Sequence, residues 1–140
     1  MQVVLPQPSS QAAQHLISET AATPNYSFFG DLQQRINKYL CGEPVIFNET
    51  LDISNSTPFY QEVWQATCKI PYGETRSYKW LASQVGHPKA ARAVGQAMAK
   101  NPIPIIIPCH RVITSEGKLG GFRGGLVLKR HLLELEQTKV

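Results

Sequence analysis

The chain has few of the features that mark membrane, secreted or zinc-binding proteins. No apolar run approaches the roughly 20 residues that cross a bilayer, and the N-terminus lacks the basic start and long apolar segment of a secretion signal. The three cysteines form no Cys-x-x-Cys pair, and the four histidines are scattered. We therefore expect a cytoplasmic protein, or a nuclear one in a eukaryotic host, with no membrane partner, disulfide framework or metal site.

Acidic residues are scarce in the second part of the chain. Residues 1–56 hold two basic and five acidic side chains, whereas residues 57–140 hold twelve basic and five acidic ones. From Lys69 to Arg111, seven Lys or Arg residues accompany a single acid, Glu74. This excess indicates a polyanionic partner for the second part. A basic solvated surface explains the charge equally well.

The composition is that of a folded protein, with 42% hydrophobic and 17% charged residues. The sequence SNSTP, at 54–58, has the composition of a turn, and we place a domain boundary there. The predicted fold class is α+β. A small N-terminal α/β subdomain covers residues 1–56, with a short strand and a helix in its first 25 residues, and a mostly helical C-terminal domain covers residues 57–140.

Apolar residues recur at helical spacing in several segments. In the first part, a helix is predicted that begins at Asp31, as its N-cap or a first-turn residue, and stops at Gly42. In the second part, the predicted helices are FYQEVWQATCKI, capped by Thr57, then SYKWLASQVG, begun by Ser77, then AARAVGQAMAKN and GGLVLKRHLLELEQ. Three prolines near Ile103–Ile107 predict a buried, extended segment, and HRVITSEGKLGGF predicts a short hairpin.

The two middle helices of the C-terminal domain are joined by a tight turn, HPK, in the manner of a helix-turn-helix. The second of them carries small side chains with Arg92 standing out among them. A helix of this kind fits closely against another surface, such as a DNA groove. An ordinary helix pair packed in a core has the same pattern, and the local excess of Lys and Arg favours DNA. The small residues are Ala90, Ala91, Ala93, Gly95, Ala97 and Ala99.

Cys109 follows an apolar run and directly precedes His110 and Arg111. Burial as a structural cysteine is the common fate of a free thiol. A reactive cysteine needs a nearby cation or base to form thiolate, and a histidine base needs an orienting partner, for which Glu136 is a candidate. Because neighbours in an extended chain point to opposite faces, adjacency alone does not make His110 the base. Both interpretations stay open on the residues alone.

Four blocks occur in order over about residues 57–137. They are TPFYQEVWQATCKIPYGETRSYKWLA, ARAVGQAM, NPIPIIIPCHRVI and LGGFRGGL. Together they closely resemble the O6-alkylguanine-DNA alkyltransferase family, and the first 56 residues are similar to a short version of that family's variable N-terminal domain. The resemblance implies a winged-helix-like C-terminal domain and a monomeric repair protein. Its partner is double-stranded DNA containing O6-alkylguanine, with O4-alkylthymine as a second candidate substrate.

The resemblance also implies roles for the catalytic residues. Cys109 receives the alkyl group as a stable thioether, so that each molecule acts once and no cofactor is needed. His110 takes the thiol proton through a water, and Glu136 holds the histidine. Tyr78 donates a hydrogen bond to the departing guanine, and Asn101 braces the active-site turn.

For DNA, the resemblance implies that the target nucleotide is flipped out of the stack. Arg92 fills the space that it leaves, and the helix bearing Ala91, Ala93 and Gly95 lies in the minor groove, with Tyr78 also at the DNA. The guanine pocket is formed by Pro108, Val112, Gly121, Phe122, Arg123 and Gly124.

Two pocket positions depart from the family pattern, which often has Tyr at Phe122 and a small residue at Arg123. We expect Arg123 to point outward, because burial of an unpaired guanidinium is costly. Two alternatives to a single-turnover alkyltransferase are a helix-turn-helix protein that binds alkylated or regulatory DNA without chemistry, and a hydrolase that uses Cys109, His110 and an acid.

Overall fold

The computed structural model describes residues 30–138. The strand and helix predicted in the first 25 residues lie outside this range. No helix in residues 30–138 is long and apolar enough to cross a bilayer. In chain order, the elements are α1 (Leu32–Leu40), α2 (Pro58–Cys68), β1 (Arg76–Ser77), α3 (Tyr78–Gln84), α4 (Ala91–Ala99), a 3₁₀ turn (Cys109–Arg111), β2 (Val112–Ile113) and α5 (Leu126–Leu135). The α+β class is confirmed.

Two predicted helix starts are confirmed by their caps. The Thr57 side chain accepts a hydrogen bond from the Tyr60 amide at 3.3 Å, and the Ser77 side chain accepts one from the Trp80 amide at 3.0 Å. Asp31 occupies the N-cap position of α1 but makes no capping bond. Its carboxylate instead pairs with Arg35 one turn later, at 3.0 Å.

The main core lies between α2, α3 and α4, where Val63, Leu81 and Val94 are fully buried. The Trp64 indole donates to the carbonyl of Ala97 at 2.8 Å and joins α2 to α4. Leu32 of α1 belongs to the same cluster. A second cluster holds Tyr39, Ile105 and Leu132. The described part of residues 1–56 therefore packs against the C-terminal part, and the division after residue 56 stays a prediction.

The segment Ile103–Ile107 is buried, as predicted, but the prediction that it is extended was wrong. The Ile107 amide donates to the carbonyl of Ile103 at 2.9 Å and closes a turn. Ile105 has a φ of 76°, a left-handed conformation that is rare for a β-branched residue. The segment therefore folds back on itself and delivers Cys109 to a 3₁₀ turn rather than to an extended chain.

The predicted hairpin was also wrong in its pairing. A turn does form at Glu116–Gly117, with the Thr114 amide 2.8 Å from the carbonyl of Lys118. However, β2 pairs in parallel with β1, in the register Arg76 to Val112 and Ser77 to Ile113. This short ladder joins the chain just after the Cys-His-Arg turn to the start of α3. It therefore brings Cys109 and Tyr78 to one place.

Candidate active site

A cavity of about 610 Å³ opens between α3, α4, the 3₁₀ turn and the loop before α5. Eight of the residues predicted from the sequence line it: Tyr78, Ala91, Arg92, Gly95, Cys109, Gly121, Phe122 and Arg123. Five residues that were not predicted also line it: Lys79, Met98, Ala99, Thr114 and Ser115. Thr114 and Ser115 directly follow β2, so their place in the wall depends on the β1–β2 ladder.

Seven predicted residues lie outside this lining: the catalytic candidates Asn101, His110 and Glu136, and also Pro108, Val112, Ala93 and Gly124. Pro108 and Val112 are buried on either side of the Cys-His-Arg turn, and Val112 belongs to the main core. The Val112 carbonyl accepts a hydrogen bond from the Lys129 ammonium at 2.6 Å. Gly124 is exposed, and Ala93 is half-buried on α4.

Cys109 is 5% exposed at the bottom of the cavity. Burial raises the pKa of its thiol, while the Asn101 side chain and the Lys129 ammonium lower it in part. The net direction is upward, so the resting sulfur is a thiol at neutral pH. Nucleophilic chemistry at this sulfur therefore needs a base.

Asn101 shapes the turn that carries the thiol. Its side-chain amide donates to the carbonyl of Ile107 at 2.8 Å, and its side-chain oxygen accepts from the amide of Ile103 at 2.9 Å. It is 2% exposed. Both polar atoms of one buried side chain thus fix the backbone on either side of Ile105.

His110 and Glu136 form a fully buried pair, with Nε2 of the imidazole 2.7 Å from Oε1 of the carboxylate. Because a carboxylate only accepts, Nε2 carries the proton and Nδ1 carries the lone pair. Nδ1 is buried and makes no hydrogen bond to residues 30–138. Burial lowers the pKa of His110, and Glu136 opposes this in part. The resting imidazole is therefore neutral.

Glu136 immediately follows α5 and receives several donors at once. They are the Tyr39 hydroxyl, His110 Nε2, two nitrogens of Arg111 and the amide of Gly73, at 2.6 to 3.2 Å. Burial by itself would raise the pKa of this carboxyl, but the hydrogen bonds from His110 and Arg111 outweigh burial and hold the pKa at about 2. Glu136 is therefore an anion at any physiological pH.

Arg111 provides the counter-charge for this anion. Its Nε lies 2.9 Å from Oε2 of Glu136, and its Nη1 donates to the carbonyl of Ile70 at 2.7 Å. The guanidinium also lies 5.8 Å from the ring centroid of Tyr72. Arg111 thus belongs to the support of the pair rather than to the cavity wall.

Lys129 is absent from the residues predicted for this site, although it is fully buried. Its ammonium lies 3.5 Å from the Tyr78 hydroxyl and from the carbonyl of Gly121. Burial lowers its pKa to about 8, and the charge of Cys109 in its thiolate form opposes the shift. Helical periodicity could have predicted its burial, because Lys129, Leu132 and Glu136 share one face of a helix.

Tyr78 faces Cys109 from the first turn of α3. Its hydroxyl lies 3.4 Å from the carbonyl of Gly121, and burial raises its pKa, so that it stays a proton donor. Gly120 passes so close that a Cβ there would lie 2.7 Å from the Tyr78 oxygen. Only glycine fits at this position, which also has a φ of +64°.

Arg92 and Arg123 are exposed at the cavity mouth. Neither has a carboxylate within 4.0 Å in the described part of the chain. Two cations without acidic neighbours at one opening suit an anionic ligand. Among the same residues, no group of three or more His, Cys, Asp or Glu side chains could hold a metal.

Comparison with known proteins agrees with this geometry. The family model described as the DNA binding domain of 6-O-methylguanine DNA methyltransferase matches residues 58–138. A methylated-DNA–protein-cysteine methyltransferase of Mycobacterium tuberculosis is 51% identical over 122 residues, which cover 87% of this chain and 73% of that protein. The same name is given to a protein of Methanosarcina barkeri that is 47% identical over 83% of this chain and 73% of its own.

A solved structure supports the same assignment. The crystal structure of the Mycobacterium tuberculosis OGT in complex with DNA superposes with a TM-score of 0.74 at 48% identity and covers 83% of this chain and 74% of that one. Because the family model matches more than half of the chain and relatives this similar cover most of it, the chain belongs to the 6-O-methylguanine DNA methyltransferase family.

Proposed function

We propose that this protein repairs O6-alkylguanine in double-stranded DNA by transferring the alkyl group irreversibly to Cys109. One observation carries the proposal: a buried thiol lines a cavity and directly precedes His110, whose buried Nδ1 has no hydrogen-bond partner among residues 30–138 while its Nε2 pairs with Glu136. DNA binding follows from the family itself. The alkylated base as substrate is the further step.

The reaction begins with activation of the thiol. His110 takes the Cys109 proton at Nδ1 through a water, and Glu136 stabilises the imidazolium that forms. The Lys129 ammonium then favours the thiolate. Because burial raises the thiol pKa and lowers the imidazole pKa, the ion pair forms only transiently, which protects the sulfur from other electrophiles.

The thiolate displaces guanine from the alkyl carbon. The S–C bond forms as the C–O6 bond breaks, and the electron pair leaves with the purine. The Tyr78 hydroxyl donates a hydrogen bond to the departing base and offsets its developing negative charge. A proton returned to the base gives guanine, and Cys109 becomes a thioether. Because a thioether does not hydrolyse, each molecule reacts once, and no cofactor takes part.

Access to the base requires that the nucleotide leave the helical stack. Arg92, exposed on α4 beside the cavity, would occupy the vacated space. Ala91, Ala93 and Gly95 on the same helix let it approach the minor groove closely, and the exposed Arg123 would contact phosphate. The monomeric state and the cytoplasmic or nuclear location stay predictions from the sequence.

The test is an intact mass measurement after mixing the protein with an O6-methylguanine duplex. We expect a gain of one methylene unit on Cys109, at most one per molecule, and no gain in Cys109→Ala. Binding without a mass gain would instead support a non-catalytic DNA-binding protein, an alternative that the names of the curated relatives do not favour. Repeated turnover of an ester would indicate a hydrolase.

A further inference from the structure

We propose that Tyr39 is a positioning residue for alkyl transfer, and that its hydroxyl, together with Glu136, holds His110 as the neutral tautomer whose Nδ1 accepts the Cys109 proton. Tyr39 comes from α1, in the part of the chain that precedes the family model. The proposal rests on the alkyl transfer proposed above.

The geometry places the hydroxyl at the centre of the buried pair. The Tyr39 oxygen lies 2.6 Å from Oε1 of Glu136 and 3.0 Å from Nε2 of His110, and the residue is completely buried. The same Oε1 is 2.7 Å from Nε2. The phenol oxygen, the carboxylate oxygen and the imidazole nitrogen thus form a closed triangle.

The protons in this triangle have only one consistent arrangement. The phenol has one hydrogen, and the Glu136 anion is the stronger acceptor, so Tyr39 donates to Glu136. Because its hydrogen is used in this bond, the Tyr39 oxygen can only accept from Nε2 of His110. Oε1 of Glu136 is a second acceptor for the same nitrogen. Nε2 must therefore bear a hydrogen, since a lone pair there would face two oxygen acceptors. The hydroxyl and the carboxylate together leave Nδ1 as the free base.

Within residues 30–138, the charged groups that shift the pKa of His110 fit this arrangement. Glu136 is an anion, whereas Arg111 and Lys129 are cations that disfavour an imidazolium in the resting state. Burial, followed by the charge of Glu136, raises the pKa of Tyr39 far above its ordinary value, so that it never competes as an anion. Burial also raises the pKa values of Tyr72 and Cys109, so both are neutral at pH 7.

The Tyr39 ring is held independently of its hydroxyl. Phe47 and Tyr72 pack edge-on against it, with centroids at 6.0 and 6.1 Å. Tyr39→Phe therefore removes one oxygen from a packed site. Tyr72→Phe is a matched control, because within residues 30–138 the Tyr72 hydroxyl bonds only to the backbone carbonyls of Gly42 and Leu135, at 3.1 and 3.2 Å.

The first experiment is ¹⁵N NMR of His110 in the full-length protein. We expect only the neutral Nε2–H tautomer in the wild type and in Tyr72→Phe, and a mixture with imidazolium in Tyr39→Phe. An Nδ1–H tautomer in the wild type would overturn the proposal, as would an unmixed Nε2–H tautomer in Tyr39→Phe. This readout does not depend on activity, so its failure is distinct from failure of the proposed reaction.

The second experiment measures the rate of methyl transfer from an O6-methylguanine duplex between about pH 5 and about pH 9. We expect the rate of methyl transfer to be about tenfold lower in Tyr39→Phe. This loss is smaller than the roughly 100-fold or more that a positioned base supplies. The acid limb of Tyr39→Phe should move to higher pH, because Glu136 loses a donor and becomes a more basic partner of His110. DNA affinity should not change. An equal loss of rate in Tyr72→Phe, or an unmoved acid limb, would refute the role.

Discussion

Replacement of Glu136 by Gln should strongly destabilise the fold, by an amount that depends on pH. Glutamine keeps the shape but removes the charge, and it leaves the buried Arg111 guanidinium, 7% exposed, without a counter-ion. Breaking a buried ion pair in this way typically costs about 3 to 5 kcal/mol. A carboxyl pKa lowered from 4.5 to about 2 corresponds independently to about 3 kcal/mol of stability at neutral pH.

The pH dependence follows from the direction of that shift. The folded-state pKa of Glu136 lies below its ordinary value, so its stabilisation is complete above about pH 4.5 and disappears as the pH falls toward 2. The free energies of unfolding of wild type and Glu136→Gln should therefore differ by about 3 kcal/mol at pH 7 and converge below pH 4.5. His110 makes both proteins less stable in acid, since its pKa is lowered by burial.

Urea unfolding followed by circular dichroism at several pH values measures both quantities. Glu134→Gln is the control, because Glu134 lies only two residues before Glu136 in the sequence. It is exposed, and it has no ion pair in the described residues. We expect it to change stability by less than about 0.5 kcal/mol at any pH. A difference below about 1 kcal/mol for Glu136→Gln at pH 7, or one that stays constant in acid, would refute the view that Glu136 is a buried anion stabilised by its hydrogen bonds and its ion pair.

Three further predictions concern the cavity. Gly120→Ala should slow methyl transfer more than Gly117→Ala does, because both glycines have positive φ but only the first would push a Cβ against Tyr78; equal effects in the same rate assay would indicate backbone strain alone. Arg92→Ala should slow repair of duplex DNA far more than reaction with free O6-methylguanine, and equal losses would refute its role in flipping. Lys129→Met should slow alkylation of Cys109 by iodoacetamide at pH 7, with the difference from wild type fading above about pH 8, where the lysine loses its proton.

The helices of the C-terminal part could be predicted because their signals are local. Thr57 and Ser77 are good capping residues directly before apolar residues at helical spacing, and both make the capping bond. The pairing of His110 with Glu136 was expected from the family resemblance. The residues alone offered only a candidate partner at a separation of 26 positions.

The active-site turn could not be predicted, because its conformation opposes local preference. An isoleucine with positive φ is unfavourable in isolation, and the turn forms because Asn101 bonds to the backbone at both ends of it. The β1–β2 ladder has only two residues in each strand, too few for an alternating pattern. Tyr39 carried no signal either, because its partner Glu136 is 97 residues away in sequence.

The order of His110 and Glu136 along the chain affects the newly made protein. The ribosome makes the thiol and the imidazole before it makes the carboxylate, since Glu136 follows His110 by 26 residues. Until α5 has docked, the imidazole has no anion to stabilise its protonated form, and the base proposed to take the Cys109 proton is not assembled. For a protein whose sulfur reacts once, the burial that raises the thiol pKa and the base that activates the thiol therefore both depend on the completed fold. The active site is therefore completed only after α3 and α4, which line the cavity, have been synthesised.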